Sequence, residues 1–204
     1  KLKSPPHSAG QSYTLTFPSS ITNNTFLKTD GSGNLSFASA GGDNKPYFFA
    51  HKNSAQTGLT NDADTKFQAD VEDFDIGGCY NNTGSTVTLN SISTPSYSFA
   101  PNVAGKYMLF GRASMKGNAA GDVREGVLRF FKNNSAINFQ ESTNNITSYS
   151  FRKCVIYSSI IVEANGTSDY FHMTGRIVFS TNGQIAGASG LRESFFGAYK
   201  LIGV

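Results

Sequence analysis

The run SYSFAPNVAGKYMLFGRASM, residues 96–115, decides how the chain is read. Phe99, Pro101, Gly105, Tyr107, Leu109 and Gly111 fall at odd positions, which puts most of the bulky residues between 99 and 109 on one face of an extended chain. Residues 102–105 interrupt the run, and a Pro followed within a few residues by a Gly is a turn or bulge that re-aims the chain before the aromatic stretch 107–110. A corner followed by a buried central strand is what a compact antiparallel β sandwich needs.

The flanking sequence repeats that grammar. Downstream, 123–131 alternates and reaches the turn Lys132-Asn133-Asn134-Ser135, 136–140 returns, and 141–148 is a polar loop. Residues 151–163 are long and apolar enough for one buried strand or two, 170–179 is the next strand, 180–190 a loop and 194–202 a terminal strand. Upstream, 47–52 opens with Tyr47-Phe48-Phe49, 53–70 is mostly loop, 71–80 is broken by Gly77-Gly78, and 86–92 is a strand stopped by Pro95. No 3.6-residue apolar period lasts more than a turn or two, so helix content is expected to be small and eight to ten short strands to form a sandwich or jelly roll.

Composition agrees. Of 204 residues, 38% are hydrophobic and only 15% charged, with 21 Gly, the balance of short strands joined by polar turns. The 17 Phe and 9 Tyr sit mostly in the β-like runs, where they supply a core. The net charge of +3 is scattered, without the basic stripe a nucleic-acid partner requires. No apolar stretch is long enough to span a bilayer, and the N-terminus lacks a secretory signal. The chain starts at Lys1 rather than Met, so it is processed or a portion of something longer. Cys79 and Cys154 read as two buried reduced thiols, with a single bridge as the alternative.

Residues 1–46 differ from the rest of the chain. Short strands over 12–17 and 25–28, then the Gly-rich turn Asp30-Gly31-Ser32-Gly33-Asn34 leading into Leu35-Ser36-Phe37, are too small to hold a core alone. The small-residue stretch 38–45 is a linker, placing the domain boundary there, with 1–46 as a β connector and 47–204 as the main domain. The pattern Lys3-Ser4-Pro5, Tyr13-Thr14-Leu15-Thr16-Phe17-Pro18 and Phe26 through Phe37 resembles a module of tail-fibre and related virion proteins of marine and cyanobacterial bacteriophages, with Phe37 where that module more often has Trp. The resemblance covers about a fifth of the chain and implies a segment that joins other virion proteins to a distal domain.

A second resemblance covers residues 47–204. Tyr47 through Ala50, the Phe99…Pro101…Gly105-x-Tyr107 corner, Leu128…Lys132-Asn133 with the Asn165-Gly166…Tyr170 turn, and Ser194-Phe195-Phe196-Gly197-Ala198-Tyr199-Lys200-Leu201 are similar, in order, to the globular head of complement C-one-q and its tumour necrosis factor-like relatives. Ala198 stands where that family usually has Tyr or Phe, and the 165–169 turn is longer than its Gly-Asp. The resemblance implies an all-β antiparallel jelly roll assembled as a threefold homotrimer. Strand physics agrees with it. A segment as aromatic as 195–199 points alternate rings to opposite faces, and the outward set forms an apolar patch unless another subunit covers it. Phe49, Tyr107, Tyr170, Phe196 and Tyr199 are expected in two aromatic layers, one within the subunit and one at the threefold axis.

Chemistry is harder to place. His7, His51 and His172 stand apart without a second ligand at metal spacing. The acidic cluster Asp70, Glu72, Asp73 and Asp75 could be one side of a calcium site, but lacks the layout of a calcium loop and reads better as an edge strand blunted by charge. Glu125, Glu141, Glu163 and Glu193 are isolated rather than paired for glycan hydrolysis, so no catalytic residue and no cofactor is expected. The sequence thus points to a virion protein made in the host cytoplasm, a trimeric fibre head that adheres to a glycan or protein on the host surface. Four loops are candidates for the contact: 57–66 with Thr57 and Lys66 at its ends, 117–122 with Gly117 and Asp122, 141–148 with Glu141 and Ser148, and 182–190 with Asn182 and Gly190. The rivals are a capsid-decorating or tail-collar component without a receptor, and an enzyme acting on surface glycans.

Overall fold

In a computed structural model of the chain, the described residues are 14–23, 25–39, 43–117, 123–143 and 152–202. Among them there is no helix, and therefore none long and apolar enough to cross a membrane. The chain divides into two compact units, Lys1–Asp43 and Asn44–Val204.

In the first unit, β1 (Thr25–Thr29) pairs antiparallel with β2 (Leu35–Ser39). The turn between them is closed by Asp30, whose Oδ1 accepts the N–H groups of Ser32 at 2.8 Å and Asn34 at 3.2 Å. The strand expected over 12–17 is reduced to a parallel bridge between Thr16 and Asn34, and Tyr13 lies outside the described residues.

The second unit runs β3 (Tyr47–His51), β4 (Thr65–Lys66), β5 (Val71–Ile76), β6 (Tyr80–Asn81), β7 (Val87–Leu89), β8 (Ile92–Thr94), β9 (Ser98–Phe99), β10 (Gly105–Lys116), β11 (Val123–Lys132), β12 (Ser135–Ala136), β13 (Gln140–Thr143), β14 (Lys153–Ala164), β15 (Phe171–Phe179), β16 (Gln184–Ile185) and β17 (Phe195–Lys200). One sheet has the order β14-β10-β17-β3-β5, with β16 on β10; the other has the order β12-β11-β15-β9-β6, with β13 on β11 and β4 on β15. Every pairing is antiparallel. From β9 onward the chain changes sheet between β9 and β10, β10 and β11, β13 and β14, β14 and β15, and β15 and β16, which is the winding of a jelly roll.

The stretch 96–115 sits at the centre of this winding. Phe99 in β9 and Tyr107 in β10 flank the corner and meet edge to face at 5.7 Å, and the Tyr107 hydroxyl donates to the Val103 carbonyl at 2.7 Å. Tyr107 and Leu109 are fully buried, and β10 lies between β14 and β17. The space between the sheets is filled by Phe48, Phe99, Leu128, Phe130, Phe171, Met173, Ile177 and Phe196.

Three expectations change. Residues 86–92 are not one strand: Asn90 and Ser91 take φ of +48° and +67°, and the chain doubles back as the β7–β8 hairpin. The long apolar segment after 151 is one strand, β14, but only alternate residues are buried, because it is an edge strand covered on one face. Glu141 belongs to β13 rather than to a loop, since its neighbours complete a ladder with β11.

The registers also define two ends. Tyr47 faces Tyr199, Tyr107 faces Lys200 and Gly105 faces Ala164, so β3 begins and β17 finishes at one end, where the chain enters the unit. His51 with Phe195, and Lys116 with Lys153 and Gln184, mark the far end.

Candidate functional site

Two features of the second unit have the geometry of a binding surface, and the first is the outward face of the β14-β10-β17-β3-β5 sheet. A two-residue period sends Phe48, Leu109, Phe196 and Ala198 inward and Phe49, Phe110, Phe195 and Tyr199 outward. Tyr47, Phe49, Phe74, Phe110, Tyr157, Phe195 and Tyr199 form one connected layer, with successive centroids 5.2 to 6.4 Å apart. A glycine makes room for it: a Cβ on Gly197 would lie 2.4 Å from Phe110 Cζ, so the Phe110 ring lies across β17 toward Phe49. Among the described residues of the second unit, nothing covers the layer. Phe74 is 46%, Tyr157 57% and Tyr199 38% exposed, and Val155 and Ile161 on β14 extend the apolar surface to the sheet edge. Near the other edge, Tyr47, Phe74, Phe110 and Tyr199 enclose a hollow of about 310 Å³.

Of the five aromatics expected in two layers, Tyr107 and Phe196 lie in the core and Phe49 and Tyr199 on the outward face. Tyr170 lies apart from both. It precedes β15 and stacks with His172 at 6.5 Å, on the outer side of the opposite sheet, where His172 also stacks with Phe131 at 5.0 Å. Tyr47, Phe74, Phe110, Tyr157 and Phe195 were missed by sequence reasoning. The signal was in the doublets: in Phe48-Phe49 and Phe195-Phe196 the two rings must point to opposite faces.

The second feature lies at the far end. The loops 57–66 and 182–190 meet there in a hollow of about 250 Å³ lined by Thr57, Gly58, Leu59, Phe179, Asn182, Gly183 and Gln184. The strands that flank 117–122 and 144–151 end at the same place, at Lys116, Val123, Thr143 and Lys153. Asp122 and Ser148 lie outside the described residues, whereas Gly117 is buried. Lys66 is not at a loop tip: it is in β4, paired with Thr174, with its ammonium donating to the Ser96 carbonyl at 3.2 Å. Burial lowers its pKa.

The titratable groups are mostly tied up within the fold. Asp70 binds the Lys52 ammonium at 2.5 Å, and Asp73 binds His51 Nδ1 at 2.8 Å and the Arg192 guanidinium. Burial pushes both carboxyls up, but these partners hold them below the usual range. Asp75 accepts the N–H groups of Cys79 and Tyr80, at 3.1 and 2.9 Å, although burial raises its pKa; Glu72 is raised by burial and by Asp75. β5 is thus a charged edge strand, and among the described residues no three His, Cys, Asp or Glu side chains are arranged to hold a metal ion. His7 lies outside the described residues. His172 is buried, and burial together with Lys66 lowers its pKa from 6.5 to about 4. Cys79 and Cys154 are both buried thiols. At the entry end, Lys132 pairs with Asp169 at 2.9 Å and the Asn133 side chain bonds both Asp169 and the Tyr170 N–H, joining the two turns singled out in the sequence.

No protein-family model matches the chain, and no curated protein does. Solved structures similar to it include the tumour necrosis factor Eiger of S. frugiperda, at 12% identity over 77% of this chain and 94% of that one with a TM-score of 0.47. Murine APRIL is also similar, at 11% identity over 76% of this chain and 98% of that one with a TM-score of 0.46 at pH 5.0, and at 10% identity and 0.44 at pH 8.5.

Proposed function

We propose that this chain is a non-catalytic virion protein of a bacteriophage, a homotrimeric fibre head that adheres to the host surface through the far end of its jelly roll. The outward aromatic face carries the proposal. Seven connected rings, three of them more than a third exposed, form a layer that a soluble subunit covers with another subunit. The face is asymmetric, with projecting Val155, Tyr157 and Ile161 at the β14 edge and a hollow among Tyr47, Phe74, Phe110 and Tyr199 toward the other edge. Seating projections of one copy in the hollow of the next, and not reciprocally as in a twofold pair, is a heterologous contact, which closes as a ring of three.

The fibre assignment rests on the N-terminal pattern of residues 3–37, and that segment joins the head to other virion proteins. The described candidate loops gather at the far end, opposite the end where the chain enters the unit, which favours that end as the contact surface. Three copies turn weak contacts into avidity. Labelled protein incubated with intact marine bacterial and cyanobacterial cells tests this. Saturable binding by the wild type, reduced by roughly 10²-fold or more in a variant that no longer associates, supports adhesion. A trimer that binds none of the cells overturns adhesion and leaves a purely structural virion component. Release of reducing ends from host polysaccharide would overturn the non-catalytic reading.

A further inference from the structure

We propose that the far-end hollow is a binding site for one neutral saccharide residue, whose apolar face rests on Phe179 and whose hydroxyls bond Thr57, Asn182 and Gln184. This deepens the adhesive reading above and rests on it for the source of the ligand, but its chemistry stands on the lining of the hollow.

The lining combines two kinds of group. Phe179 and Leu59 pack against the core yet remain partly accessible, giving an apolar floor. Thr57, Asn182 and Gln184 supply a hydroxyl and two amides, and among the described residues their side chains make no hydrogen bond. Each amide offers two donors and an acceptor, which suits neighbouring hydroxyls on a sugar ring. An aromatic face attracts the positive C–H edges of the same ring. A volume of about 250 Å³ falls just under the ~300 Å³ at which pockets for drug-sized ligands begin, so it admits a single ring.

Charge decides the ligand class. No lining residue is ionisable, and the carboxylates of the neighbouring segments are paired: Asp62 with Arg176 at 2.9 Å, Glu125 with the same Arg176, and Asp64 with Arg129 at 2.5 Å. A ligand seated in the hollow meets no ionisable side chain in its lining, and a cationic one finds no unpaired carboxylate among Asp62, Asp64 and Glu125.

The walls are also held in place before anything binds. Gln56 and Ile185 exchange both backbone hydrogen bonds, at 2.9 and 3.0 Å, which fixes the 57–59 segment beside β16. The Asn61 side chain accepts the Phe179 N–H at 2.8 Å, and Asp62 N–H donates to the Ile177 carbonyl at 3.0 Å. A Cβ on Gly183 would fall 2.2 Å from Phe179 Cδ1, so the backbone at 183 sits directly against the ring. A preformed site avoids the ordering cost that a mobile loop adds to binding.

The test is a TROSY NMR titration of the full chain with the methyl glycosides of galactose, glucose, mannose and N-acetylglucosamine, and with glucuronic acid as the charged control. Saturable shifts with at least one neutral glycoside, centred on the amides of residues 57–59 and 182–184 with a Kd on the order of 1 mM, are expected. The Thr57→Val/Asn182→Gly variant should bind at least tenfold more weakly; Gly at 182 keeps the φ of +51° accessible, so the fold is retained. Gln184→Ala, which leaves the β16 backbone pairing intact, should also weaken binding. The site is overturned by absence of saturable shifts with all four neutral glycosides, by undiminished binding in both variants, or by glucuronic acid binding as tightly as the best neutral glycoside. A monomeric chain that binds a glycoside keeps this site and overturns the trimeric reading. A trimer that adheres to cells without these shifts overturns this site alone.

Discussion

The two faces of the β14-β10-β17-β3-β5 sheet are built from nearly the same residue types and meet opposite fates. Inward, Phe48 stacks with Tyr80 at 4.3 Å and Phe99 at 4.9 Å and meets Phe196 edge to face, all under the second sheet. Outward, one residue away in sequence, Phe49, Phe195 and Tyr199 lie in an equally connected layer that none of the described residues of the unit covers. Ring content therefore does not separate core from surface in this protein. Position in the pleat does, and a chain that invests in both faces has a second use for one of them.

The largest effect should come from the inner face. Phe196→Ala removes a fully buried ring that touches Phe48, Tyr80 and Phe130, and is expected to cost about 3–5 kcal/mol in a urea titration. A loss below about 1 kcal/mol would erase the distinction between the faces.

The opposite sheet buries a histidine between its outward rings, and there a pH titration sharpens the contrast. His172, between Phe131 and Tyr170, is held near pKa 4 by burial and by Lys66, against 6.5 for the free side chain. The unfolded chain therefore binds the extra proton between those values. Stability is complete above pH 6.5 and falls as the pH drops toward 4, by up to about 3 kcal/mol. Comparing urea midpoints of wild type and His172→Phe across this window isolates the group; the variant should lose that part of the slope.

A smaller effect is expected from Gly197→Ala. Its Cβ would strike the Phe110 ring, so the ring must shift off β17 at a cost of about 1–3 kcal/mol, with weaker association of subunits as the accompanying sign. Smallest for the fold is Tyr157→Ser on the exposed edge, within about 0.5 kcal/mol for the isolated subunit. The same change should dissociate the assembly. Unchanged mass for Tyr157→Ser would place the interface elsewhere.

How much of this was legible depends on the physics of each region. The corner at 99–107 and the turn at Asn133-Asn134 could be read because Pro, Gly and paired Asn encode backbone geometry locally. The β7–β8 hairpin could not, because Asn90-Ser91 is a weaker turn signal than Asn-Gly and its strands are three residues each. Strand 153–164 looked buried because period-2 reasoning sees apolar residues on both faces, whereas the sheet order makes it an edge. The outward layer was anticipated in kind from 195–199, but its membership depends on register: Tyr157 reaches Phe195 only across β10. The far-end hollow unites loops over a hundred residues apart, a meeting brought about by long-range pairings such as Gln56 with Ile185 and Asn61 with Phe179.

The central claim is that copies of this chain cover the outward rings for one another. Multi-angle light scattering of the purified chain at micromolar concentration tests it most directly. A single species at three times the 21.9 kDa chain mass is predicted; a stable, folded species at 21.9 kDa would contradict it.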